Sequence, residues 1–136
     1  MITGPSKHLT WNELACKDGT PYPEEWRLNR AIQLAEIFEE IRFTCSGKSI
    51  KVLSAYRTPE WNHKIGGARH SQHMEGRALD LKSPDNMSLI AFYHIIKELA
   101  SVMSIKGLGK YKTFVHIDIR PSDRLVVWSG TGVKDS

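Results

Sequence analysis

Four residues stand out for the chemistry that their types and spacing allow: His73, Asp80, His116 and Asp118. His73 ends a glycine-bearing loop, and Asp80 follows seven residues later, beyond Gly76. His116 and Asp118 lie in the apolar run Phe114-Val115-His116-Ile117-Asp118-Ile119. The period of two of a strand puts Val115, Ile117 and Ile119 on one face, and His116 and Asp118 with Phe114 on the other. A histidine in such a strand is commonly a core residue with satisfied nitrogens. Two metal-competent groups side by side on one face instead suit the floor of a cleft. Two imidazoles and one carboxylate form the ligand set of many catalytic zinc sites, which keep a fourth position for water. A bound ion lowers the pKa of that water toward neutrality and polarises a carbonyl, so an amide is attacked without a side-chain nucleophile. Spacing alone leaves both readings open.

The other histidines carry less. His8 falls in a terminus expected to fray, His63 in a turn after Trp61, and His94 on the flank of a helix. The chain has no GxxxxGK[ST], no GxGxxG after a strand, no GxSxG elbow and no HExxH. Cys16 and Cys45 are far apart and in no CxxC pattern, so they are read as reduced, partly buried thiols. The net charge is +4, with the excess in the middle of the chain. Between Arg42 and Lys82, eight basic residues stand against Glu60, Glu75 and Asp80. That balance suits a substrate bearing carboxylates. It forms no platform of interleaved aromatics, so nucleic acid is not an expected partner.

The elements that must position these residues follow from periodicity and punctuation. At 136 residues, 40% apolar and 25% charged, the chain is expected to form one domain over residues 1–136. No stretch approaches the apolar length of a membrane span, so no membrane partner is expected. Thr10-Trp11-Asn12-Glu13 reads as a capping box that opens a short helix through Cys16. A long helix is predicted from Glu24 to Thr44, with Leu28, Ala31, Ile32, Ala35, Phe38 and Ile41 as its apolar stripe and Gly47 beyond its end. A second helix is predicted from Asn86 to Met103, presenting Leu89, Phe92, Tyr93, Ile96, Leu99 and Met103. Strands are expected at Ile50–Tyr56, Arg77–Leu81, Gly107–Tyr111, Phe114–Ile119 and Leu125–Trp128, with a single helical turn after Arg57 and a loop from Ile65 to Met74. The fold class is α+β, a small, mostly antiparallel sheet with helices packed on it.

With these residues in view, four blocks resemble the M15 peptidase family. They are Ser54-Ala55-Tyr56-Arg57-Thr58-Pro59; Gly66-Gly67-Ala68; Ser71-Gln72-His73-Met74-Glu75-Gly76-Arg77-Ala78-Leu79-Asp80; and Phe114-Val115-His116-Ile117-Asp118. The SxHxxGxAxD block is the specific part, and the opening Leu9-Thr10-Trp11-Asn12-Glu13-Leu14-Ala15-Cys16 extends the likeness over nearly the whole chain. The family comprises zinc D-alanyl-D-alanine carboxypeptidases and phage L-alanyl-D-glutamate endopeptidases, with a fold shared by hedgehog signalling domains. The resemblance implies zinc ligation by His73, Asp80 and His116. It implies that Arg57 pairs with a substrate carboxylate or the polarised carbonyl oxygen, and that Ser71 lies beside the substrate, although a loop serine also caps and turns.

One position departs from the family's pattern. Better-known members carry a glutamate or aspartate three residues before the last ligand, or a histidine two before it, to move the proton. Here those positions are Thr113 and Phe114. Asp118 is the nearest replacement, either as base or as a carboxylate that orients a ligand, and His70 is a weaker candidate. The resemblance therefore implies a monomeric peptidase acting on peptidoglycan peptides, or else a zinc-holding domain that binds them without cleavage. The first eight residues show no apolar signal region, so synthesis in the cytoplasm is expected, with access to the cell wall by lysis or phage-tail delivery.

Overall fold

The computed structural model describes residues 3–130. Thr10 opens α1 (Trp11–Leu14) through the predicted capping box: its hydroxyl accepts from the Glu13 backbone at 3.1 Å, and Glu13 accepts from the Thr10 backbone at 2.9 Å. This helix stops at Leu14, two residues short of expectation. The long helix predicted from Glu24 divides into two elements. A 3₁₀ turn covers Glu24–Trp26, and α2 (Arg30–Thr44) begins only after Asn29, whose side chain caps the Arg30 N–H.

That division corrects the predicted stripe. Ala31, Leu34, Ala35, Ile37, Phe38 and Ile41 form the buried face of α2. Leu28 precedes the helix and is 91% exposed, and Ile32, about 100° around the axis from Ala31, is also exposed. The second long helix, α4 (Leu89–Leu99), is likewise shorter than predicted. Asn86 has φ 66° and cannot continue a right-handed helix, so Ser88 caps instead, its hydroxyl accepting from Ala91 N at 3.2 Å. Phe92, Tyr93 and Ile96 are buried, whereas Leu89, Leu99 and Met103 pack at the margin. Between them lies α3 (Pro59–Lys64), with Thr58 as cap and Pro59 in its first turn.

Five strands, β1 (Val52–Ser54), β2 (Ala78–Leu81), β3 (Gly107–Lys110), β4 (Val115–Asp118) and β5 (Val126–Ser129), form one sheet in the order β1-β2-β4-β3-β5. Every pairing is antiparallel except that of β3 with β5. On one face Leu79, Leu81, Leu108, Val115 and Ile117 join Phe38, Ile41, Phe92 and Ile96 in the core. Register sets Asp80 opposite His116 and Ala78 opposite Asp118, so the polar alternates share the other face. Cys16 and Cys45 are both buried and free, in line with the sequence.

The N-terminal segment is not frayed at His8. Glu39 on α2 accepts from the Ser6 hydroxyl at 2.6 Å and the His8 backbone at 2.7 Å, and lies 2.7 Å from His8 Nδ1. Spacing gave no sign of this tie, because its two halves are 31 residues apart. Among the described residues no helix is long and apolar enough to cross a membrane.

The corrected stripe has a measurable consequence. Phe38→Ala, which empties a fully buried position, is expected to cost about 3–5 kcal/mol of unfolding free energy. Leu28→Ala is expected to change it by less than about 0.5 kcal/mol. Denaturant titration of both variants checks the assignment.

Candidate metal centre

Three elements bring the predicted ligands together. His73 sits in a 3₁₀ turn, Gln72–Glu75, where a loop was expected. Ser71 starts that turn, its hydroxyl accepting from His73 N at 3.1 Å. Gly76 ends it in the left-handed region at φ 65°, where a Cβ would also lie 2.5 Å from the Trp26 ring. The turn rests on an aromatic cluster of Tyr22, Trp26 and Tyr56. From it, Tyr22 donates to Gly76 O at 2.7 Å, while Arg30, stacked over Trp26, donates to Glu75 O at 2.6 Å. Strands β2 and β4 then present Asp80 and His116 as a cross-strand pair.

The hydrogen bonds fix which nitrogens face inward. His73 Nδ1 is 2.6 Å from Ala55 O, an acceptor only, so Nδ1 carries a proton and donates to it. Nε2 faces Asp80 Oδ1 at 3.2 Å. His116 Nε2 is 2.7 Å from Asp118 Oδ2 and donates to it, which leaves Nδ1 facing the same Asp80 oxygen at 3.0 Å. Two imidazole nitrogens thus meet one carboxylate oxygen in a buried site, an arrangement that is favourable only with positive charge among the three atoms, from protons on the imidazoles or from a bound cation. A divalent cation satisfies it directly. Metal–ligand bonds of about 2.0–2.1 Å in a tetrahedron separate ligand atoms by roughly 3.3 Å, close to both observed spacings. His73, Asp80 and His116 therefore form a group able to hold a metal ion.

The surroundings complete the electrostatics. Burial pushes the Asp118 carboxyl up, but hydrogen bonds from Arg120 and His116 outweigh it and hold the group well below the usual carboxylate range. Arg120 donates from Nε to Oδ1 at 2.9 Å and from its terminal nitrogen to Oδ2 at 2.7 Å. Room for this pair comes from β3, where a Cβ on Gly107 would lie 2.2 Å from the Asp118 carboxylate. Gly109 likewise admits Trp128, whose indole packs 5.3 Å from the His116 ring and donates to Tyr111 Oη at 2.8 Å.

Several expectations change here. His73 and His116 have no exposed surface and Asp80 only 3%, so the three side chains are buried rather than forming the floor of an open cleft. Arg57 is buried. Its three guanidinium nitrogens donate to Ser54 at 3.1 Å, Asn62 at 3.2 Å and Asp80 Oδ2 at 3.4 Å, which directs it at a ligand carboxylate. Ser71 is fully buried and caps the ligand turn. His70 is exposed. The sequence singled out neither Arg120 nor Trp128 nor Asn62. Arg120 continues the alternation of residues 116 and 118, so a longer count would have reached it. Trp128 and Asn62 arrive from other elements and leave no local signal.

Because Asp118 fixes the ring of His116, Asp118→Ala is expected to weaken binding of a divalent metal ion by roughly 10–100-fold while leaving the protein folded. Chelator competition, with circular dichroism as the folding control, measures it.

No curated protein matches the chain. The family model described as Peptidase M15 matches residues 7–118, a span that holds the aromatic support, Arg57, all three metal-competent side chains and Asp118. The chain belongs to the peptidase M15 family.

Proposed function

We propose that this protein is a zinc metallopeptidase that hydrolyses an amide bond in the peptide stem of bacterial peptidoglycan, at either the D-Ala-D-Ala terminus or the L-Ala-D-Glu link. One observation carries the reading: two imidazoles, each held at its far nitrogen, and one carboxylate oxygen converge in a buried group able to hold a metal ion. The donor set of two nitrogens and one oxygen suits zinc and leaves a fourth position for water or substrate. When bound, the ion supplies a Lewis acid for the scissile carbonyl and an activated water.

The residues of the chain then divide the remaining work. Arg57 donates to the outer oxygen of Asp80, which tempers the carboxylate charge and aims Oδ1 between the imidazoles. Ser71 and Gly76 fix the turn that carries His73. Of the two roles open to Asp118, orientation of His116 fits better than proton transfer. Both of its oxygens already accept hydrogen bonds, and a carboxylate held this far down is a weak base. The basic middle of the chain suits a substrate rich in carboxylates.

A second reading has its own support. Thr113 and Phe114 cannot move a proton, and the three metal-competent side chains are buried almost completely. Both features fit a zinc-holding domain that binds cell-wall peptides without cutting them.

Mass spectrometry of muropeptides separates the two. Peptidase activity gives fragments shortened by one D-alanine or cut after L-alanine, lost with chelator and restored by zinc. His116→Ala is expected to reduce product to background. Release that persists in chelator would overturn the metallopeptidase reading. Zinc retention and peptidoglycan binding without product would establish the second.

A further inference from the structure

The side chain of Asn62 is 96% buried in α3, yet it belongs to no part of the core. Its hydrogen bonds point in two directions. Nδ2 donates to Ala68 O at 2.8 Å, and Oδ1 accepts from Arg57 at 3.2 Å. Only this amide orientation satisfies both neighbours, because a carbonyl cannot donate and a guanidinium cannot accept. The Asn62 backbone is engaged as well, with its carbonyl accepting from Gly67 N at 2.8 Å and its N–H donating to Thr58 O at 2.9 Å. Gly67 lies so close that a Cβ there would sit 2.1 Å from Asn62 Oδ1 and 3.0 Å from Arg57.

A chain of contacts results: the 66–68 loop, Asn62, Arg57, then Asp80. The guanidinium at its centre is a planar fork with fixed donor directions. Ser54 takes Nε, Asn62 one terminal nitrogen and Asp80 the other. With two donors pinned, the direction of the third is set. At the other end, Asn62 shares a cleft of about 510 Å³ with Pro59, His63, Gly67, Arg69 and Met74.

We propose that Asn62 is a positioning residue for the metal centre: it sets the angle at which Arg57 meets Asp80, and so couples the cleft beside α3 to the geometry of a metal-binding carboxylate. The inference rests on the metal reading above. It predicts that the acceptor on Asn62 matters to the ion, beyond the support that its donor gives to the loop.

Two substitutions separate these contributions. Asn62→Ala removes both side-chain hydrogen bonds. Asn62→Asp keeps an acceptor for Arg57, while its second oxygen faces Ala68 O in place of the donor and adds a negative charge beside the guanidinium. Zinc affinity of the full chain is measured by competition with a chromophoric chelator, with thermal melting in parallel. Asn62→Ala is expected to bind zinc about 10-fold more weakly, and Asn62→Asp to stay within about 3-fold of the unsubstituted protein even if both lower the melting temperature. Unchanged affinity in Asn62→Ala would overturn the proposal, as would equal weakening in both variants, which would assign Asn62 to the loop alone. If Asn62→Ala does not fold, Gly67→Ala replaces it, since its methyl displaces Asn62 Oδ1 while removing no hydrogen-bonding group. Weaker zinc binding by folded Gly67→Ala supports the coupling, and unchanged binding refutes it. Absence of zinc binding by the unsubstituted protein would instead remove the metal reading itself.

Discussion

Asp80 Oδ1 lies 3.2 Å from one imidazole nitrogen and 3.0 Å from another. In water such a meeting costs little, because solvent inserts between the partners. In a buried site it requires positive charge, from protons on the imidazoles or from a bound cation, since burial strengthens repulsion as much as attraction. The structure around the pocket prevents the three groups from relaxing apart. Ala55 O and Asp118 hold the imidazoles by their far nitrogens, and Arg57 holds the carboxylate by its far oxygen. Each ligand is thus gripped at the atom that a metal does not use, which gives ring orientation and charge balance together.

The fold reads as a means of delivering those grips. Antiparallel pairing of β2 with β4 sets Asp80 against His116 through the backbone, with no side-chain cost. Small residues on β3 leave space where Asp118 and Trp128 need it. The aromatic cluster beneath residues 71–77 fixes a turn that lacks regular pairing of its own, through donations to Gly76 O and Glu75 O. Arg57 carries a charge into the interior, which is costly unless paired and hydrogen-bonded. Its pairing with Asp80 meets that requirement and binds the segment after β1 to the metal centre.

This arrangement also explains how a member of a peptidase family can depart from the expected placement of an acid–base residue. Asp118 occupies the strand position that best orients His116, and its partnership with Arg120 fits that task better than proton transfer. The binding and hydrolytic readings share every feature of the ligand set. They differ in whether a coordination position becomes accessible and in whether a residue is placed to move the proton.

Much of the site was legible in one dimension. Period two along residues 114–119 separates the apolar from the polar face whatever the partner strands are, and the 71–80 block carries its ligands at fixed separation. Helix phase was less secure: Leu28 and Ile32 matched the spacing of the stripe, but Asn29 started α2 late and turned both to solvent. What the chain order could not hold was every relation between distant segments. His8 reaches Glu39, Arg57 turns inward to Asp80, Trp128 packs against His116, and the metal-competent side chains are buried. Residue type and spacing determined which groups could bind a metal, because those depend on donor chemistry and local periodicity. Tertiary packing alone decided which nitrogen faces inward, which cation meets which carboxylate and how deeply the group is buried, because hydrogen-bond partners and desolvation exist only after the chain has folded.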